Sequence, residues 1–349
     1  MKLVIQIPCY NEEEHLPKVL AEIPREIPGI DSIEVLVIDD GSTDASAEVA
    51  RAHGAHHVLH LKRRRGLAQV FYTGLDASVR LGADIIVNTD ADNQYPGAEI
   101  ARLIKPILEG KAEMVIGDRL VKDLAHFSLT KKLLQSWGSW VVRQVSNTAI
   151  PDTTSGFRAF SRDAAMRINI ITEFTYTLES IIQAGKKRIP LAHIPIQANE
   201  TSRESRLFTS IPDYVKKSVS TILRIYSMYE PLKMFTYIGS VVFGAGLLVS
   251  IRFLYYYFSP EGGVGHVQSL ILAAVLLIVG FQILLIGMLS DLIASNRKLL
   301  EDVLYRMKLV QYGRRGSGSG RHLIADRASE ESESEEDAAG SLTAGRSPR

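Results

Sequence analysis

Short apolar runs alternate with stretches of helical spacing through the first third of the chain, and each run ends in a polar or acidic cluster. Asp84-Ile85-Ile86-Val87-Asn88 is short and largely apolar, which reads as a strand buried on both faces. Thr89-Asp90-Ala91-Asp92-Asn93-Gln94 follows it, then turn chemistry in Tyr95-Pro96-Gly97 and helical spacing from Ala98 to Leu108. Upstream, Lys2 to Ile7 ends in Pro8-Cys9-Tyr10-Asn11-Glu12, and helical spacing continues through Leu16, Val19, Leu20 and Ile23. Ile33 to Ile38 ends in Asp39-Asp40-Gly41-Ser42-Thr43-Asp44, where Thr43 or Asp44 is placed to cap a helix from Ala45 to His53. A strand over His57 to Leu61, a basic turn Lys62-Arg63-Arg64-Arg65-Gly66, a helix from Leu67 to Leu81 and a fifth strand from Ala112 to Gly117 complete the pattern. Such alternation predicts a doubly wound, mostly parallel α/β sheet over residues 1 to about 200.

If the strands are parallel, the clusters at residues 8–12, 39–42 and 90–92 share one edge of the sheet, where open α/β sheets bind ligands. The carboxylates of Asp90 and Asp92 with the amide of Gln94 form an oxygen-rich set suited to Mg²⁺ or Mn²⁺. Taken alone, Asp-x-Asp is better explained by a helix cap and a solvated side chain; three such clusters in register reverse that preference. Other chemistries lack material. Lys plus Arg (40) balances Asp plus Glu (39), so no field argues for nucleic acid. One cysteine excludes an intrachain disulfide and a thiolate metal site, and no histidine is placed to activate Cys9 as a nucleophile. The N-terminus enters a strand directly, so no signal peptide is expected.

The second half of the chain is organised differently. Met234 to Ile251 is eighteen residues without a charge, and Gln268 to Ser290 is a second uncharged run. Both reach the length of about 18 residues that marks a transmembrane candidate. Lys216, Lys217, Arg224 and Lys233 precede the pair and Arg297, Lys298, Arg306 and Lys308 follow it, whereas residues 259–266 between them carry no Lys or Arg. The positive-inside rule then predicts a two-helix hairpin with both flanks cytoplasmic. Ile211 to Tyr229 mixes apolar positions with Lys216, Lys217 and Arg224, as a helix lying in the headgroup plane would. We therefore expect a cytoplasmic catalytic domain (1–210), an interfacial helix (211–231), a membrane hairpin (232–293), a cytoplasmic helix (294–312) that is a candidate for homo-oligomer assembly, and a disordered tail (313–349).

The segments Ile7-Pro8-Cys9-Tyr10-Asn11-Glu12, Val37-Ile38-Asp39-Asp40-Gly41-Ser42-Thr43-Asp44 and Asp90-Ala91-Asp92-Asn93-Gln94 resemble the family 2 glycosyltransferases of GT-A fold, and among these the dolichyl- and polyprenyl-phosphate sugar synthases. Gly117-Asp118-Arg119, Ser155-Gly156-Phe157-Arg158 and Glu204-Ser205-Arg206-Leu207 extend the likeness over roughly residues 2 to 210. The resemblance implies a UDP- or GDP-sugar donor, one divalent metal and a polyprenyl phosphate acceptor in the bilayer. It assigns Pro8, Tyr10, Glu12, Ile38 and Asp40, with Asp90 and Ala91, to the donor nucleotide, and Asp90, Asp92 and Gln94 to the metal and diphosphate. Arg119, Ser155, Arg158, Arg203, Ser205, Arg206 and Lys131 become candidates for the donor or acceptor phosphate. One departure is Arg203, which stands where such chains usually have glycine.

The implied chemistry is economical. Cleavage of the anomeric bond leaves charge on a diphosphate, which a metal held by Asp92 and Gln94 stabilises, with Asp90 supporting the shell. A phosphate monoester, with a second pKa of about 6, is already anionic near neutral pH and needs orientation more than a general base. Two other readings compete: a processive polysaccharide synthase, against which no Gln-x-x-Arg-Trp motif is present, and a non-catalytic membrane scaffold, against which Asp90, Asp92 and Gln94 are all retained.

Overall fold

The computed structural model describes residues 1–119, 140, 142–143, 145–171, 176–199, 216, 219–220, 223–224, 226–258 and 267–313. They form two compact units, Met1–Lys217 together with the chain from Tyr305, and Ser218–Leu304.

The first unit is built on seven strands: β1 (Lys2–Cys9), β2 (Ser32–Asp39), β3 (His57–His60), β4 (Ile85–Asn88), β5 (Met114–Asp118), β6 (Arg158–Ser161) and β7 (Leu191–Pro195). Their order is β3-β2-β1-β4-β6-β5-β7. All pairings are parallel except those of β6, which runs antiparallel between β4 and β5. The sheet is thus the mostly parallel α/β sheet expected from the alternation. Helices α1 (Leu16–Glu22), α2 (Ser46–Ala52), α3 (Leu67–Arg80), α4 (Glu99–Leu108), α5 (Arg162–Arg167) and α6 (Tyr176–Lys186) cover it.

Both faces of the central strands are sealed. Leu3, Ile5 and Ile7 of β1 pack in one layer with Leu16 of α1 and Leu103 and Ile104 of α4, all fully buried. The opposite face of β1 and β2 meets α3 so closely that a Cβ on Gly74 would stand 2.7 Å from Gln6 Oε1 and 2.8 Å from Ile38 Cδ1. Burial on two faces explains why these strands read as continuous apolar runs instead of alternating ones.

The register places the polar tips together. Cys9 lies opposite Asp39 and Gln6 opposite Asn88, so the C-terminal ends of β1, β2 and β4 share one edge. The insertion of β6 adds a segment that the strand pattern did not foretell. Asn88 pairs with Arg158 in antiparallel register, so the chain entering β6 runs back past the Asp90 cluster.

The second unit contains α7 (Pro231–Phe258) and most of α8 (Val267–Gly313), an unbroken helix of 47 residues. Both are long and apolar enough to cross a membrane, and only 11% and 17% of their most apolar windows are buried. Such exposure of apolar surface suits lipid better than water. Glycines let the helices approach: a Cβ on Gly280 would lie 2.6 Å from the Phe243 backbone nitrogen, and one on Gly246 2.9 Å from that of Leu277. Residues 305–313 of α8 belong to the first unit. There Tyr305 donates to Asp163, Lys308 Nζ donates to Asn169 Oδ1 at 3.1 Å, and the Tyr312 hydroxyl donates to Asp76 Oδ1 at 2.7 Å. The spacing of three and then four residues puts these anchors on one helix face.

Candidate active site

Three loops at the sheet edge are stitched to one another. After β1, the Asn11 N–H donates to Ser42 Oγ at 2.9 Å, the Asn11 side-chain oxygen accepts from the Thr43 N–H at 2.8 Å, and the Glu12 N–H donates to Ser46 Oγ at 2.8 Å. Asp44 Oδ1 accepts from the Ser46 N–H at 3.0 Å, completing the start of α2. After β2, Asp40 accepts from the backbone N–H groups of Arg65 at 2.6 Å and Gly66 at 2.9 Å. Burial raises the Asp40 pKa, and those two N–H groups pull it back. Asp40 thus fixes the basic turn over the sheet edge, where the Arg64 guanidinium lies 4.3 Å from the centre of the Tyr10 ring. Nothing in the run Arg63-Arg64-Arg65 singles out Arg64 from its neighbours; the cation–π contact does.

Not every residue expected at the donor presents its side chain there. Tyr10 is half-buried beside Arg64, Pro8 is buried in β1 opposite Ile38, and Glu12 and Ala91 are buried in the loops. The Ile38 side chain is fully buried in β2 against Gly74, on the helix side of the sheet. Cys9 is also buried, which pushes its thiol up to about 12; it is a packing residue.

Beyond β4, Asp90, Asp92 and Gln94 are all half-buried. Asp92 Oδ1 accepts from the Gln94 N–H at 3.1 Å, and Asn93 between them takes φ 58°, a conformation asparagine tolerates. Burial and the neighbouring Asp92 push the Asp90 carboxyl up to about 7, against the pull of Arg119 and Arg158. Among the described residues nothing donates a hydrogen bond to the Asp90 carboxylate. Among them also, no group of three or more His, Cys, Asp or Glu is assembled for a metal. Two carboxylates and an amide oxygen, one carboxylate without a donor, fit a hard cation that keeps sites open for phosphate oxygens.

Arg119 closes the other side. Its Nε donates to Asp152 Oδ2 at 2.8 Å, one terminal nitrogen donates to Thr154 Oγ1 at 2.8 Å, and the other reaches Gln94 Oε1 at 3.4 Å. The Arg119 charge holds the Asp152 carboxyl below its usual range, and Asp152 in turn keeps the guanidinium protonated. Asp152 escaped the sequence analysis, although it stands only three residues before Ser155. Ser155 is fully buried, and among the described residues its Oγ has no hydrogen-bond partner.

Arg158 corrects an expectation. It is fully buried, and its guanidinium donates to the carbonyls of Ser155 at 2.8 Å, Thr177 at 2.8 Å and Thr153 at 3.1 Å, and to Ser180 Oγ at 2.5 Å. Those partners engage four of its five N–H groups inside the core, and with no exposed surface Arg158 braces the turn behind Asp90 instead of facing an acceptor phosphate. The expected acceptor residues Lys131, Arg203, Ser205 and Arg206 lie outside the described residues, as does most of the interfacial helix.

Comparison with known proteins agrees with this fold. The family described as Glycosyl transferase family 2 matches residues 4–168. An undecaprenyl-phosphate mannosyltransferase of Micrococcus luteus is 30% identical over 176 residues, spanning 49% of this chain and 70% of that protein. A UDP-N-acetylglucosamine–dolichyl-phosphate N-acetylglucosaminyltransferase of Methanococcus voltae is 27% identical over 215 residues, 55% of this chain and 83% of that one. Among solved structures, glucosyl-3-phosphoglycerate synthase of Mycobacterium tuberculosis, crystallised with Mn²⁺, UDP-glucose and phosphoglyceric acid, superposes with a TM-score of 0.52 at 19% identity, covering 65% of this chain and 80% of that one. At that identity the likeness speaks for the fold alone.

Proposed function

The chain belongs to glycosyl transferase family 2, and from that premise we propose that it is a metal-dependent, inverting enzyme that moves one sugar from a nucleoside diphosphate to a polyprenyl phosphate at the cytoplasmic leaflet. The observation that carries this reading is the group of Asp90, Asp92 and Gln94 beyond β4, bounded on one side by Arg119 and lying along the same sheet edge as Tyr10 and Asp40. Relatives named for undecaprenyl phosphate and dolichyl phosphate support the lipid acceptor, and two helices able to cross a membrane support its delivery from a bilayer.

In this reading the donor base lies against Tyr10 near the Asp40-tethered turn, and the diphosphate extends toward Asp92 and Gln94. A divalent cation bound there supplies Lewis-acid stabilisation of the leaving diphosphate. Arg119, locked by Asp152 and Thr154, offers a fixed positive charge beside Gln94 without having to reorganise during the reaction. The acceptor phosphate is itself the nucleophile, so these residues orient and screen it, and none has to remove its proton.

The test is direct. The full-length protein in lipid nanodiscs, given radiolabelled UDP- or GDP-sugars and undecaprenyl phosphate, is expected to yield a chloroform-extractable single-sugar lipid. Asp92→Ala should lower kcat by roughly a hundredfold or more. A long water-soluble polymer, or normal turnover by the variant, would overturn the proposal.

A further inference from the structure

Directly beneath the acidic tip of β4 the core is polar. Gln6 of β1, Asn88 of β4 and Tyr176 of α6 are each at most 1% exposed. Gln6 Nε2 donates to Asn88 Oδ1 at 2.9 Å, and Asn88 Nδ2 donates both to the Gly156 carbonyl at 2.8 Å and to the Tyr176 hydroxyl at 3.0 Å. That hydroxyl donates onward to the same carbonyl at 3.4 Å. On its other side, the Gly156 N–H donates to the Tyr95 hydroxyl at 3.0 Å. Both peptide groups of Gly156 are therefore held by buried side chains.

Packing alone does not call for these polar atoms. The Tyr176 ring stacks on Phe71 with centroids 3.8 Å apart, which a phenylalanine would do equally well. Leucine has the same branched skeleton of heavy atoms as asparagine without its polar groups, and buried amides and hydroxyls are tolerated only when bonded. Asn88, Tyr176 and Tyr95 converge on a single backbone position, and that position touches Asp90: a Cβ on Gly156 would stand 2.6 Å from Asp90 Oδ2 and 3.0 Å from the Tyr176 hydroxyl. The antiparallel entry into β6 brings this bare Cα against the carboxylate. A neutral amide at residue 88 also adds no third negative charge beneath Asp90 and Asp92.

We propose that Asn88 and Tyr176 are positioning residues for sugar transfer: they hold Gly156 so that its Cα forms the wall against which the Asp90 carboxylate is aimed at the donor. This rests on reading Asp90 as a donor-facing carboxylate. Neither residue touches substrate; both act through the place they give to Gly156.

The experiment compares the full chain in nanodiscs with Asn88→Leu, Tyr176→Phe and the double variant, measuring melting temperature, kcat, donor KM and, without any donor, Mn²⁺ binding by electron paramagnetic resonance. Tyr176→Phe, which keeps the stacked ring, is expected to melt close to wild type, to lose kcat on the order of tenfold with donor KM within about twofold, and to bind Mn²⁺ several-fold more weakly. The double variant should be little worse than the poorer single one, as for two parts of one device. Wild-type kcat and Mn²⁺ affinity in Tyr176→Phe would overturn the proposal, and so would a kcat loss that merely follows the folded fraction. Should Asn88→Leu not fold, Tyr176→Phe alone decides. If the wild type itself neither binds Mn²⁺ nor transfers sugar, the functional reading fails, visibly in the unmodified protein, and the positioning role goes with it.

Discussion

At the scale of single residues, the site is governed by the burial of a carboxylate and, after that, by the like charge brought near it. The Asp90 carboxyl is raised to about 7 in the absence of a cation, far above its value of 3.8 in an unfolded chain. Between those two values the native protein holds a proton that the unfolded chain has released, so native stability falls as pH rises through the window. The sign is opposite to that of an ion-paired aspartate. Without metal, the protein should melt several degrees lower at pH 8 than at pH 5; millimolar Mn²⁺ should remove most of the drop, and Asp90→Asn should flatten it. Scanning calorimetry at the two pH values measures this, and a pH-independent melt of the metal-free wild type would contradict the electrostatic account. Arg158 illustrates what residue-level reading misses. An arginine after Ser-Gly-Phe reads as an available cation because arginines are rarely fully buried, yet carbonyl oxygens of the turn and α6 take up its donors. Nothing local in the sequence announces those partners.

At the scale of elements, strands and helices through β5 were legible because each is a local pattern: a short apolar run, a turn, a helical period. The antiparallel β6 was not, since its four residues, Arg158–Ser161, acquire strand character only by pairing with β4 and β5. Nor did apolar spacing reveal that Asn88 is a network residue, because it ends a run that otherwise reads as packing. The continuity of α8 was equally hidden: its apolar first half and charged second half have different compositions but share one helix. Two predictions belong here. Gly280→Leu places atoms where the Phe243 backbone already lies 2.6 Å from a Cβ position, so α7 and α8 must separate; the detergent-solubilised variant should aggregate at a clearly lower temperature than wild type. Tyr312→Phe removes a part-buried, charge-assisted hydrogen bond to Asp76; burial first, and the Asp76 carboxylate beside it, hold the phenol pKa up at about 12. The substitution should destabilise the catalytic unit by about 1–2 kcal/mol in chemical denaturation while leaving donor KM unchanged.

At the scale of the whole molecule, the chain divides between a unit built on the α/β sheet and a unit with helices suited to a bilayer, and the end of α8 is part of the former. Composition hid this division, because 40 basic and 39 acidic residues cancel when counted together. The lone sulfhydryl of the chain sits under the first β-tip, where burial keeps it protonated. Native protein should therefore ignore an aromatic disulfide reagent and release one equivalent of chromophore only on denaturation; rapid reaction of the folded enzyme would refute this. If it holds, nature has supplied a background already silent to maleimides. Any pair of cysteines introduced on the two units will carry spin labels or fluorophores alone, and the spacing between them can be followed through turnover without first deleting a native thiol.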